Sequence, residues 1–236
     1  MAGAIVQSAY TVDDGGGTAT TATTTITGVT AGNTLICFVG WSDSAGTRTC
    51  TVGDGSTYTS AAAKVSGGTD LQASQVFILQ NVQAGSHAVV ALLNTAAAFR
   101  RNRVIEVSGL VWIGAVDKSA GAQQNTPGTT ANVISSGASA VTLGSFEFVI
   151  GFTQNTTEND PGTGTLTAGT GYTISGTNLI MGIESKSITV NAAQTATFTQ
   201  SVNNSHTTHV LTLKEGSIVR TKTSTFGDQP MLRGPM

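Results

Sequence analysis

Few residues in this chain have side chains suited to chemistry, and their spacing limits what they can do. His206 and His209 stand three residues apart. On a helix that spacing puts two imidazoles on one face, where they could share a metal ion; on a strand it puts them on opposite faces. The stretch His209 to Leu213 reads as a strand, so no shared metal is expected. His87 is alone and reads as a rim histidine. Asp13, Asp14, Asp54, Asp70, Glu158 and Asp160 lie in Gly-, Asn- or Thr-rich turns, where a short acid commonly bonds its own backbone. Calcium held by such loops is the sharper alternative, with Asp54 and Asp160 as contributors. A glycosidase-type carboxylate pair stays open. Gly-x-Ser-x-Gly, P-loop and His-Glu-x-x-His motifs are absent, and nothing marks a cofactor site.

Two further groups invite a functional reading. Cys37 and Cys50 flank the turn Ser42-Asp43-Ser44-Ala45-Gly46, and a hairpin there would bring the sulfurs nearly opposite one another. Two buried thiols and a cross-strand disulfide both fit. Arg100, Arg101 and Arg103 form the one dense basic cluster. It reads either as a solvated strand start or as a docking patch for an acidic surface, joined in that role by Arg220, Lys222 and Arg233 near the C-terminus.

The elements that must position these residues are strands. The 236 residues include 29 glycines and are 39% hydrophobic but only 10% charged, so short apolar bursts alternate with turns and no amphipathic helix emerges. The net charge of −2 argues against a generally basic nucleic-acid binder. No apolar run is long enough to span a membrane as a helix. The first residues lack a basic stretch followed by an apolar one, so synthesis in a cytosol without export is expected. Trp41 and Trp112 lie in or beside apolar strands and are read as core.

The densest apolar run is Asn33 to Trp41, and Phe146 to Phe152 has a similar build, each with a glycine after its apolar residues. Further strands are expected at Ala4–Tyr10, Ala22–Thr27, Thr47–Val52, Tyr58–Val65, Gln72–Gln80, His87–Leu93 and Arg103–Val107. A second set is expected at Thr129–Ile134, Leu179–Glu184, Gln194–Thr199 and His209–Leu213. The order of elements recurs: Gly171-Tyr172-Thr173 echoes Tyr58-Thr59 after its glycine turn. An internal duplication into halves 1–112 and 113–213 and the ordinary self-likeness of any Thr-rich sandwich are both open. Residues 214–236 lose periodicity and read as a tail. The fold class expected is an all-β antiparallel β-sandwich, jelly-roll-like or Ig-like.

Ala31-Gly32-Asn33-Thr34-Leu35-Ile36, then Gly53-Asp54-Gly55-Ser56-Thr57-Tyr58-Thr59, then Arg101, Glu106, Ser108 and Gly109 resemble a module of tailed-phage structural proteins and bacterial surface proteins. Gly171-Tyr172-Thr173 and Ala192 to Phe198 resemble it again. The chain departs from the module at Gly53-Asp54-Gly55-Ser56, where an Asn is usual, and in its tail. The resemblance implies a non-enzymatic β-sandwich of the virion, on the outside of a phage head as a decoration, fibre or spike. Its partners would be further copies of itself and other virion proteins, with no nucleic acid, membrane or cofactor. The alternative is an adhesin module that binds a host-surface glycan or receptor.

Overall fold

The computed structural model describes residues 2–13, 17–67, 72–124, 132–155, 165–176, 180–201 and 205–216. Every regular element among them is a strand. The first eight are β1 (Ala4–Asp13), β2 (Ala19–Val29), β3 (Thr34–Ser42), β4 (Cys50–Gly53), β5 (Thr59–Gly67), β6 (Gln72–Leu79), β7 (Gly85–Ala97) and β8 (Arg100–Ser108). The next eight are β9 (Val116–Gln124), β10 (Asn132–Ser135), β11 (Glu147–Asn155), β12 (Leu166–Ala168), β13 (Thr173–Gly176), β14 (Met181–Ile188), β15 (Thr197–Gln200) and β16 (His206–Lys214).

The strands form four antiparallel sheets. Strands β1 to β8 build a five-stranded sheet, β1-β8-β3-β6-β5, and a three-stranded sheet, β2-β7-β4. Strands β9 to β16 build the sheets β9-β16-β11-β14-β13 and β10-β15-β12. Adding eight to every strand number of the first pair reproduces the second, so the second half repeats the strand order of the first. The break falls in residues 109–115.

Three apolar cores separate the sheets and set the layer order. One lies between β2-β7-β4 and the first five-stranded sheet and holds Leu35, Cys37, Val39 and Trp41. The middle core lies between the two five-stranded sheets, with Ile36, Phe38 and Ile105 on one side and Ile150, Phe152 and Leu211 on the other. The third, with Val149, Phe198 and Val210, lies under β10-β15-β12. The molecule is thus a four-layer stack in which the five-stranded sheets are covered on both faces.

This stacking explains the unbroken apolar run of β3. A strand with one face in water alternates, as β2 does with Ala22, Thr24 and Ile26 buried between exposed neighbours. Residues Thr34 to Trp41 of β3, and all of β11, are buried throughout, because successive side chains enter different cores. Phe38 and Phe152 meet across the middle core with ring centroids 5.4 Å apart. Each such fully buried ring contributes about 1.5–3 kcal/mol.

Candidate functional site

The arginine cluster is not a surface patch. Arg100, Arg101 and Arg103 are all buried, and alternation along β8 sends them to different layers. Arg100 turns toward β2, donating to the Thr21 carbonyl at 3.1 Å and pairing with Asp13. Arg101 and Arg103 point the other way and donate to the Asn155 and Met181 carbonyls of the second half. Arg103 also lies over the Tyr10 ring, 5.5 Å from its centroid. Neither the solvated nor the docking reading describes these three residues; they hold the two halves and their layers together. Arg220, Lys222 and Arg233 lie outside the described residues.

The histidines on β16 face opposite layers, as strand geometry requires. His206 contacts Thr153 Oγ1 at 3.1 Å and Gln200 Oε1 at 2.6 Å on the β15 side. His209 contacts Ser74 Oγ at 2.8 Å in the middle layer. A Ser–His contact is the start of a nucleophile, but Ser74 and His209 are both 0% exposed and His209 Nδ1 has no partner to orient it. Burial pushes the His209 pKa down to about 4, against the Ser74 bond, so the ring is neutral packing material.

Cys37 and Cys50 do not face each other across a hairpin, because β3 and β4 belong to different sheets. Both are free thiols in the first core, and Cys37 Sγ contacts Asn102 Oδ1 at 2.8 Å. Asp54 is taken up by His87 Nδ1 at 2.5 Å and the Ser56 N–H at 3.0 Å. Asp160 lies outside the described residues. Among the described residues no group of three or more His, Cys, Asp or Glu could hold a metal ion.

Three carboxylates that composition and spacing did not single out for chemistry occupy buried sites. Glu106 accepts Asn33 Nδ2 at 2.5 Å, the Thr30 N–H at 2.9 Å and Gln7 Nε2 at 2.6 Å. Glu184 accepts the N–H groups of Gly169 and Thr197 at 2.8 and 2.9 Å. Glu147 Oε1 accepts the Gly144 N–H at 3.0 Å. A lone Glu inside an apolar strand was the available signal for all three.

What the interior lacks in accessible chemistry, one end of the stack offers in exposed apolar surface. Trp112 is 69% exposed and Ile113 is 89% exposed, so Trp112 is not core. Both lie in the link between the halves, tied down by Lys214 N to the Ala115 carbonyl at 2.8 Å. Leu143, Phe146, Val141 and Val190 are also exposed at this end. Their loops are joined by Leu143 N to Asp117 Oδ2 at 2.6 Å and Asn191 Nδ2 to the Leu143 carbonyl at 3.3 Å. Trp112 also separates two concavities. One, of about 620 Å³, is lined by Asn33, Gly109, Leu110 and Gly216; the other, of about 320 Å³, by Thr57, Gln80, Asn81 and Ile113.

Fold and site define an all-β protein of stacked antiparallel sheets with buried polar groups and an apolar end. Compared with protein-family models, curated proteins and solved structures, the chain matches none of them.

Proposed function

We propose that this chain is a non-enzymatic structural subunit of a tailed-phage virion, on the outside of the head as a decoration, fibre or spike, made in the host cytoplasm and working through contacts with further copies of itself and with other virion proteins. We read each half as a jelly roll, eight strands in two sheets, with the fifth strand moved beside the sixth. The repeat of that order supports an origin by duplication. The observation that carries the reading is the gathering of six exposed large apolar side chains at one end, while the Ser–His pair and the buried carboxylates are out of a substrate's reach. Exposed apolar surface of this kind marks interaction sites. The test is mass spectrometry of purified particles from a phage whose genome encodes the chain. The reading expects the chain at a fixed, high copy number; absence from the particles ends it.

A second reading, an adhesin for a host-surface glycan or receptor, draws on Trp112 as an exposed ring between two concavities. However, two of the nearby amides are already engaged: Asn33 by Glu106, and Gln80 by the Val111 carbonyl and the Ala115 N–H. Glycan-array binding lost on Trp112→Ala would favour this second reading.

A further inference from the structure

Two loops wall the smaller concavity beside Trp112. Residues 54–58 join β4 to β5 and contribute Thr57; residues 80–84 join β6 to β7 and contribute Gln80 and Asn81. The first loop is closed by the bridge between Gly53 and Thr57 and by Tyr58 N–H donating to the Val52 carbonyl at 3.4 Å. The second is tied to the turn before β3: Val82 N–H donates to the Asn33 carbonyl at 3.0 Å, and Gly32 N–H to the Val82 carbonyl at 2.9 Å.

His87, the third residue of β7, bridges one loop to the other. Strand alternation turns its ring to the same side as the buried Val89 and Ala91, and Ile26 of β2 stands opposite it in the ladder. Nδ1 lies 2.5 Å from Asp54 Oδ2, and Nε2 lies 3.0 Å from the Gln83 carbonyl oxygen. The His87 and Asp54 side chains are only 12% and 3% exposed, so water competes weakly for these atoms. A carboxylate and a carbonyl both accept and neither donates. A neutral imidazole carries a single N–H and satisfies one of them; the imidazolium satisfies both.

The surroundings agree with a charged ring. Asp54 Oδ1 accepts the Ser56 N–H at 3.0 Å, and the Tyr58 hydroxyl donates to Oδ2 at 3.5 Å, as suits an ionised carboxylate. Glu106 of β8 adds a further negative charge from the side of the Thr30 turn, and β2 presents only the apolar Ile26. Burial works against the His87 charge, but the Asp54 and Gln83 bonds and the Asp54 charge outweigh it and hold its pKa above the usual value. Burial likewise opposes the Asp54 charge, and the His87 and Ser56 donors hold that carboxyl below its usual range.

We propose that His87 is a pH-operated staple: as imidazolium it ties residues 54–58 to residues 80–84, and as neutral imidazole it lets go of the Gln83 carbonyl and loosens the wall of the concavity beside Trp112. The Asp54 bond is the one kept, because a charged acceptor holds its donor more strongly than a carbonyl does. Nε2 then turns a lone pair toward the Gln83 oxygen, and the two repel. Because the folded pKa is raised, the staple is fully present below the unfolded imidazole pKa and is lost as pH rises through the folded one. Any effect on docking at the apolar end rests on the function proposed above; the staple itself does not.

NMR of the full chain tests it. Ring nitrogen shifts are expected to show both His87 nitrogens protonated at about pH 5.5, with a midpoint above about 6.5 and Nε2 losing its proton. Amide exchange, corrected for intrinsic rates, is expected to show the Val82 and Gly32 amides losing protection about threefold or more through that midpoint, while the β3 and β8 ladder amides hold. His87→Gln has no proton to lose and is expected to remove the pH dependence. Asp54→Asn keeps an acceptor without its charge and is expected to lower the midpoint. A wild-type midpoint at or below about 6.5, or one that Asp54→Asn leaves in place, overturns the staple. Loop protection that ignores the midpoint, or a pH dependence kept in His87→Gln, overturns it as well. Sedimentation at the same pH values reads assembly separately, so a working staple on a chain that never associates would count against the function alone.

Discussion

Asn33 Nδ2 donates to Glu106 Oε1 at 2.5 Å, joining the turn before β3 to the end of β8. These residues belong to two of the short sequence patterns that carry the resemblance to phage and surface proteins, and here they form one clamp with Thr30 and Gln7. Burial works against the Glu106 charge, but the Gln7, Thr30 and Asn33 donors outweigh it and hold its pKa below the usual value. Because the folded pKa is depressed, the clamp's contribution is present above the unfolded carboxylate pKa and is lost as pH falls through the folded one. Glu106→Gln is expected to destabilise by about 1–3 kcal/mol near neutral pH and by less in acid. Urea unfolding of both proteins from neutral pH down checks this; a penalty that grows in acid would contradict it.

Gly40 on β3 faces the middle core, where an added Cβ would overlap the Gln154 carboxamide of β11. Gln154 Nε2 is committed to the Ala73 carbonyl at 3.1 Å, so it cannot swing away freely. Gly40→Ala is expected to cost about 1–3 kcal/mol. Gln154→Ala should recover much of that in the double variant, and a double-mutant cycle with additive penalties would show that the halves do not meet there.

Glu184 is 0% exposed, and burial pushes its pKa up to about 7 against the Gly169, Thr197 and Lys186 contributions. With the folded pKa raised, the protonated form favours the fold. That stability is fully present below about pH 4.5 and is lost as pH rises to about 7. The stability of Glu184→Gln relative to wild type is therefore expected to rise by roughly 3 kcal/mol across that window. Thermal melts at matched ionic strength give the number, and a relative stability that falls with pH would reverse the assignment.

Cys37 and Cys50 are buried, and burial raises both thiols, Cys50 to about 12. Buried, protonated thiols are poor nucleophiles. The native chain should ignore a disulfide reagent at about pH 8 and take up two equivalents once unfolded without reductant. Zero equivalents after unfolding would mean that the two are joined.

The central strands were legible in the sequence because burial on both faces leaves an unmistakable apolar run, as in Leu35 to Val39 and Phe148 to Ile150. The fourfold layering was not, since nothing in β3 says whether its second face meets a helix, a sheet or another chain. Strand β9, Val-Asp-Lys-Ser-Ala-Gly-Ala-Gln-Gln, escaped notice because an edge strand that is half-buried carries few apolar residues. Its counterpart by strand order, β1, was found only by weak alternation. The arginines of β8 misled because guanidinium groups are usually solvated, and here backbone carbonyls replace the water, those of the first half for Arg100 and of the second half for Arg101 and Arg103. Trp112 misled for the opposite reason: an apolar neighbourhood in sequence became an exposed link between halves.

Sedimentation velocity over a range of concentrations tests the claim that the apolar end is where this protein works. The whole chain, 23.9 kDa as a monomer, is expected to associate with rising concentration. A variant carrying Trp112→Ser, Ile113→Ser, Leu143→Ser and Phe146→Ser is expected to keep its fold and remain monomeric, since these side chains are exposed. A wild-type chain that stays monomeric throughout, or a variant that associates as strongly as wild type, would contradict the account.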